Sequence, residues 1–115
     1  MDTGIGLIEN ERMRQVLQEG YDAEHDSAHI HGELAHAGAA YAFYSGCQTK
    51  FNDASYENDA PVIWPWSNSD WRPSDNPVRN LVKAGALIAA EIDRLLRNPL
   101  TPPGADPAGA EGDAK

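Results

Sequence analysis

The sequence predicts an all-α fold of three main helices, and three observations point to it. Apolar residues recur at spacings near 3.6 in three separate stretches of the 115-residue chain. Capping residues and breakers flank those stretches: Asp2 or Thr3 before the first, Gly20 after it, Asp26 or Ser27 before the second, and Asn98-Pro99 after the third. The segment between the second and third, Gly46 to Asn76, carries Pro61, Pro65 and Pro73 and no alternating apolar pattern, so a sheet is not signalled.

The first helix is expected over Ile5–Glu19. Asp2 or Thr3 can accept hydrogen bonds from its free N–H groups. Ile5, Ile8, Met13, Val16 and Leu17 give an imperfect apolar stripe, and Gly20 suits the left-handed position that ends a helix. The second helix is expected to follow an N-cap at Asp26 or Ser27, with Ile30, Leu34, Ala37 or Gly38, and Tyr41 on one side, and to fade by Ser45-Gly46. The third opens at Pro77, which fits a first turn. Val78, Leu81, Val82, Gly85, Ile88, Ala89, Ile92, Leu95 and Leu96 form one broad apolar face. Its middle, Ala84 to Ala90, is mostly small residues, so another helix can approach there from this chain or from a second copy. The third helix ends at Asn98-Pro99, because the residue before proline is pushed out of the helical region.

Residues 1–98 are thus expected to make a single helical domain. Residues 99–115, rich in Pro, Gly and Ala, are expected to be a disordered tail, since they have almost nothing to bury. A domain of this size buries a modest fraction of its surface, and partner subunits often help. A homo-oligomer is therefore expected.

The net charge is −9, which does not favour duplex DNA as a partner. The charge is uneven. Residues 1–33 hold eight acids against Arg12 and Arg14, whereas residues 72–97 hold Arg72, Arg79, Lys83, Arg94 and Arg97, five of the nine basic groups. A local basic site on an acidic protein can hold a small phosphate ligand. Cys47 is the sole cysteine, so no internal disulfide forms, which suits a reducing cytoplasm. No signal-peptide pattern opens the chain, and no apolar run approaches the roughly 20 residues of a membrane span. A membrane is therefore not expected as a partner, and a cytoplasmic location is.

Three constellations carry candidate chemistry. The first is the tryptophan loop: Trp64, Trp66 and Trp71, the only tryptophans, fall within eight residues. An indole can stack on a nucleobase, an interaction worth about 1–3 kcal/mol per base. Arg72, Arg79 and Lys83 follow directly and can hold phosphate, with Arg79 near a helix N-terminus that also favours anions. The competing reading makes the indoles a lid that thickens a thin core. The second is the stripe His25, Asp26, His29, Glu33 and His36. On a helix, His29, Glu33 and His36 would share one face, and imidazole with carboxylate suits zinc or another transition metal. The competing reading makes Asp26 a helix cap and leaves the histidines in solvent. The third is paired carboxylates. MazG-type nucleotide pyrophosphohydrolases hold magnesium through ExxE and ExxD motifs on facing helices, because magnesium takes hard oxygen ligands. Here Glu33 lies on the second helix and Glu91 and Asp93 on the third, without either spacing, and Glu9 and Glu11 on the first helix are also differently spaced. The competing reading pairs Glu91 with a nearby Lys or Arg.

The order Glu11-Arg12, Glu19-Gly20-Tyr21, Glu24-His25-Asp26, Gly32-Glu33-Leu34-Ala35, Tyr41-Ala42, Trp64-Pro65-Trp66, Trp71 and Arg79 through Ile92 resembles a family of small phage and prophage proteins, across about residues 8–97. Some of its members are labelled nucleotide pyrophosphohydrolase-like. The resemblance implies a phage setting inside a host cell, where one strategy against antiviral defence is to sequester cyclic nucleotide signals.

The leading expectation is non-catalytic binding of a nucleotide or nucleotide-derived signal by Trp64, Trp66, Trp71, Arg72, Arg79 and Lys83, with no cofactor. The alternative is a metal-dependent nucleotide phosphohydrolase, with magnesium or another divalent ion on His25, Asp26, His29, Glu33 and Glu91. A second alternative is a protein-interaction module that blocks a host factor through the Trp loop.

Overall fold

The computed structural model describes residues 2–20 and 22–97. Four α-helices occur among them, three of them long: α1 (Gly4–Gln18), α2 (Ala23–Ser27), α3 (Glu33–Phe51) and α4 (Pro77–Arg97). A single 3₁₀ turn, Asn68–Asp70, interrupts the long α3–α4 connection. No strand occurs among the described residues. The fold is all-α, as the periodicity predicts. The expected tail, 99–115, lies outside the described residues.

Local chemistry sets each boundary. The Thr3 hydroxyl accepts from the Gly6 N–H at 3.1 Å and starts α1. Gly20, just past its end, takes φ +74°, the left-handed position expected of it. The expectation of one helix beginning at Asp26 or Ser27 is corrected. Asp22 caps the short α2 by accepting from the His25 N–H at 2.9 Å, so Asp26 lies inside that helix and is fully buried. The chain then breaks, and Gly32 at φ +81° lets α3 begin at Glu33. α3 also runs on past Ser45-Gly46 to Phe51.

α4 is the central element, packed against α1, α2 and α3. Its small residues are covered by its own chain. Ala84, Ala86 and Ala90 are buried, a Cβ added at Gly85 would sit 2.5 Å from Ile8 Cδ1 of α1, and one at Gly38 of α3 would sit 3.0 Å from Ile88 Cγ1. Small residues let helix backbones approach closely. The core comprises Leu34, Ala37, Ala40, Tyr41 and Tyr44 of α3, Leu87 of α4 and Trp71 of the loop, among others.

The expected apolar faces are only partly used. Val78, Leu81, Ile88, Ile92 and Leu96 of α4 stay exposed, as do Ile5, Met13 and Leu17 of α1. α1 instead turns Glu11 and Gln15 inward. The physical reason is an ion-pair cluster. Glu11 Oε1 accepts from Arg79 Nη2 at 2.6 Å and Arg14 Nε at 2.9 Å, while Oε2 accepts from Arg14 Nη2 at 2.8 Å and Gln15 Nε2 at 3.1 Å. Buried charge is tolerated when it is paired and hydrogen-bonded in this way. Asn80, also fully buried, ties the end of the loop to α3: its amide donates to Gln48 Oε1 and the Ser74 carbonyl, and its oxygen accepts from the Ser74 N–H.

Candidate functional site

The Trp loop folds back on α3 and separates its three indoles. Trp71 is core. Its ring stacks on Tyr41 with centroids 4.6 Å apart and lies edge-on to Tyr44, and its Nε1 donates to the Tyr56 carbonyl. Trp64 and Trp66 are half-buried and stand nearly perpendicular, with centroids 5.2 Å apart. Trp64 Nε1 donates to the Ser67 carbonyl at 2.9 Å, which sets its ring, and Trp66 lies 5.1 Å from the His29 ring.

These two indoles and Tyr41 wall one side of a pocket of about 600 Å³. α1 contributes Glu11, Arg14 and Gln15 to it, with Glu19 just past the end of that helix, and α4 contributes Lys83 and Leu87. His25 and His29 line it from α2 and the turn that follows, and Asp70 and Arg72 from the loop. The site therefore draws on every helix, and no short motif describes it.

Lys83 is its best-defined cation. Its ammonium donates to the Arg72 carbonyl at 2.7 Å and stands 5.5 Å above the Tyr41 ring. Burial, followed by the nearby Arg79 charge, pulls its pKa below the ordinary lysine value. An arriving anion would offset both effects. The Arg72 side chain is exposed at the pocket edge. Arg79, expected in the same site, does not line this pocket. It pairs with Glu11 and borders a smaller cavity of about 330 Å³. Burial raises the Glu11 pKa, but hydrogen bonds from Arg14 and Arg79 outweigh it and hold the carboxyl below its ordinary value. Gln15 Oε1 is buried without a hydrogen-bond partner, and Gln15 lines the pocket.

The five residues expected as metal ligands do not converge on one point. Asp26 Oδ2 is held by Arg12 at 2.9 Å, and Glu91 is gripped by both Nε and Nη2 of the buried Arg94 at 2.8 and 3.0 Å. His29 precedes α3, so His29, Glu33 and His36 do not share one helix face. Among the described residues, no three His, Cys, Asp or Glu side chains are placed to hold one metal ion. His25, Asp26, His29 and Glu33 do form a chain of contacts. His25 Nδ1 is 3.2 Å from Asp26 Oδ1, the two Nε2 atoms are 3.4 Å apart, and His29 Nδ1 is 3.9 Å from Glu33 Oε2. Burial, then the neighbouring His25, lowers the His29 pKa.

Sequence reasoning located Trp64, Trp66, Arg72 and Lys83, which the pocket brings together. It missed Tyr41, Glu11, Arg14 and Gln15, because residues far apart in the chain meet only through helix packing. No family model, curated protein or solved structure matches the chain.

Proposed function

We propose that the protein binds a nucleotide or nucleotide-derived signal, such as a cyclic nucleotide, in the main pocket and releases it unaltered. The observation that carries this reading is the meeting of half-buried Trp64 and Trp66 with Lys83 and Arg72 around one cavity of about 600 Å³. Small-molecule sites typically occupy about 300–1,000 Å³ with apolar walls and a few polar anchors. A base would lie on one indole, since the perpendicular pair offers no parallel slot. The phosphate would sit near Lys83 and Arg72. Gln15 Oε1 is an unpaired acceptor suited to an exocyclic amine. Binding without turnover is favoured because Glu11, Asp26 and Glu91 are each engaged by arginine, which leaves them poor general bases.

In this reading the protein acts in the cytoplasm of a phage-infected host, where sequestering a cyclic signal would blunt antiviral defence. No helix among the described residues is long and apolar enough to cross a membrane. The chain works as a homo-oligomer, with the exposed Leu81, Ile88 and Ile92 stripe of α4 as the contact.

The test is a thermal-shift screen against mono-, di- and cyclic nucleotides, with the bound ligand recovered and identified. A shift that Trp66→Ala and Lys83→Gln abolish, with intact ligand recovered, supports the reading. Turnover in magnesium or manganese, lost in Glu33→Ala or Glu91→Ala, would instead establish a hydrolase. The absence of any nucleotide shift would leave a protein-interaction module as the better account.

A further inference from the structure

We propose that a second cavity, at the C-terminal end of α3, binds a small organic cation: a linear aliphatic amine with two or more ammonium groups. This cavity shares no lining residue with the main pocket, so the inference does not rest on the nucleotide reading.

The cavity measures about 380 Å³ and lies between the end of α3, the chain that follows it and the start of α4. Local turns bring three acids to it. Asn52 takes the left-handed conformation at φ +51°. Its N–H donates to the Gln48 carbonyl at 3.0 Å, and the Asp53 N–H donates to the Cys47 carbonyl at 3.3 Å, so the chain reverses at Asp53. The Glu57 N–H donates to the Ala54 carbonyl at 3.0 Å and folds Glu57 back to the same side. Asp75 comes from the far end of the loop, next to Ser74, whose carbonyl accepts from Gln48 and Asn80.

The charge around the cavity is all of one sign. Asp53, Glu57 and Asp75 line it, and no lysine or arginine does. None of the three carboxylates forms an ion pair among the described residues. Asp53 accepts from the N–H and hydroxyl of Ser55, which hold its carboxyl below the ordinary value and keep it ionised. The C-terminal dipole of α3 also favours a cation. The start of α4 does not oppose it, because Pro77 has no N–H and the Val78 N–H is taken by Asn76 Oδ1 at 2.9 Å.

An independent observation marks the cavity as a site. Tyr44 is 1% exposed and lines it, with its ring packed edge-on against Tyr56 and Trp71. Its hydroxyl has no hydrogen-bond partner among the described residues. A buried hydroxyl left unpaired is costly. Burial, followed by the charges of Glu57, Asp53 and Asp75, raises its pKa, so it stays neutral and free to accept a hydrogen bond. An ammonium group would donate to it while the carboxylates balance the charge.

The spread of the acids selects the kind of cation. Among the described residues, no three His, Cys, Asp or Glu side chains are placed to hold one metal ion. Ammonium groups spaced along a methylene chain can instead reach separate carboxylates. Ala54 and Pro77 give that chain apolar surface, and the cavity lies within the usual size range of small-molecule sites.

Calorimetric titration of the full chain with spermidine, at about 0.15 M salt to screen diffuse attraction, tests the site. One saturable spermidine per chain is expected. Glu57→Gln and Asp75→Asn should each weaken binding roughly two- to fivefold. Glu9→Gln, which removes an exposed acid elsewhere, should leave it unchanged, as should Lys83→Gln in the main pocket. Tyr44→Phe keeps the packed ring and should weaken binding about tenfold or more. Without ligand, that variant should melt no lower than the wild type, because the lost hydroxyl has no partner. Absent or non-saturable binding would overturn the site. So would equal weakening by Glu9→Gln, which would show general attraction to an acidic protein. Calcium binding that competes with spermidine and depends on the same acids would replace the amine with a metal ion. A lower melting temperature for ligand-free Tyr44→Phe would show that the hydroxyl serves the fold instead.

Discussion

Tyr41 and Trp71 stack with ring centroids 4.6 Å apart and planes 28° from parallel, and this pair joins the core to the pocket. Trp71 belongs to the core side. Tyr41 also meets the Trp64 edge at 5.5 Å and the Lys83 ammonium, both of which line the cavity. The pocket wall is therefore packed directly on the core behind it.

Trp71 and Trp66 should accordingly separate stability from binding. Trp71→Ala removes a fully packed indole and should cost about 3–5 kcal/mol, read as a lower urea midpoint. Trp66→Ala, at a half-exposed position, should lower the midpoint far less while abolishing the nucleotide-induced thermal shift. Equal losses of stability in the two variants would contradict this division.

Lys83 should behave as an acidic lysine. Its lowered pKa means that its free-amine form appears at a lower pH than for an ordinary lysine. Acylation at Lys83, followed by mass spectrometry across a pH series, should turn on below the pH where an ordinary lysine reacts. For the same reason, affinity for a phosphate-bearing ligand should fall with rising pH as Lys83 deprotonates. Lys83→Gln should remove that part of the dependence.

Glu11 gives stability a predictable acid limb. Its folded-state pKa lies below the ordinary 4.5, so its contribution is complete above that value and is lost as pH falls through the folded value. Glu11→Gln should cost about 1.5–3 kcal/mol at neutral pH. Urea melts should show the gap from wild type narrowing below about pH 4.5.

The α1–α4 crossing depends on the missing side chain at Gly85. Gly85→Ala places a methyl 2.5 Å from Ile8 Cδ1 and should destabilise by about 1–3 kcal/mol, despite alanine's better helix propensity. In an Ile8→Ala background the same change should cost little or become favourable. Strict additivity in the double-mutant cycle would show that the two residues do not press on one another.

The exposed α4 stripe should report on assembly. Ile92→Glu places a charge on a half-exposed apolar position. It should shift the sedimentation coefficient toward the monomer while leaving the helical circular dichroism unchanged. A wild-type chain that sediments as a monomer would refute the oligomer outright.

Much of this protein was legible in sequence because local chemistry decides it. The periodicity of α3 and α4, the cap at Thr3, the left-handed Gly20 and the opening Pro77 all depend on neighbours within a turn or two. The loop's aromatic character and the run of cations after it were equally plain. The break at Gly32 was harder to read, since a periodic pattern runs across it from Ile30 to Tyr41.

Tertiary structure alone decided which of those residues share a site. Trp64, Trp66 and Trp71 are chemically alike in the sequence, yet packing on Tyr41 and Tyr44 buries Trp71 and leaves the other two on the pocket. Arg79 and Lys83 are one helical turn apart, yet the buried Glu11 engages the first and leaves the second for the cavity. Glu11 lies 68 residues from Arg79, and no local spacing could announce that pair. Local propensity acts over a few bonds, whereas a pocket is made by long-range ion pairs and close helix crossings, which exist only once the chain has folded.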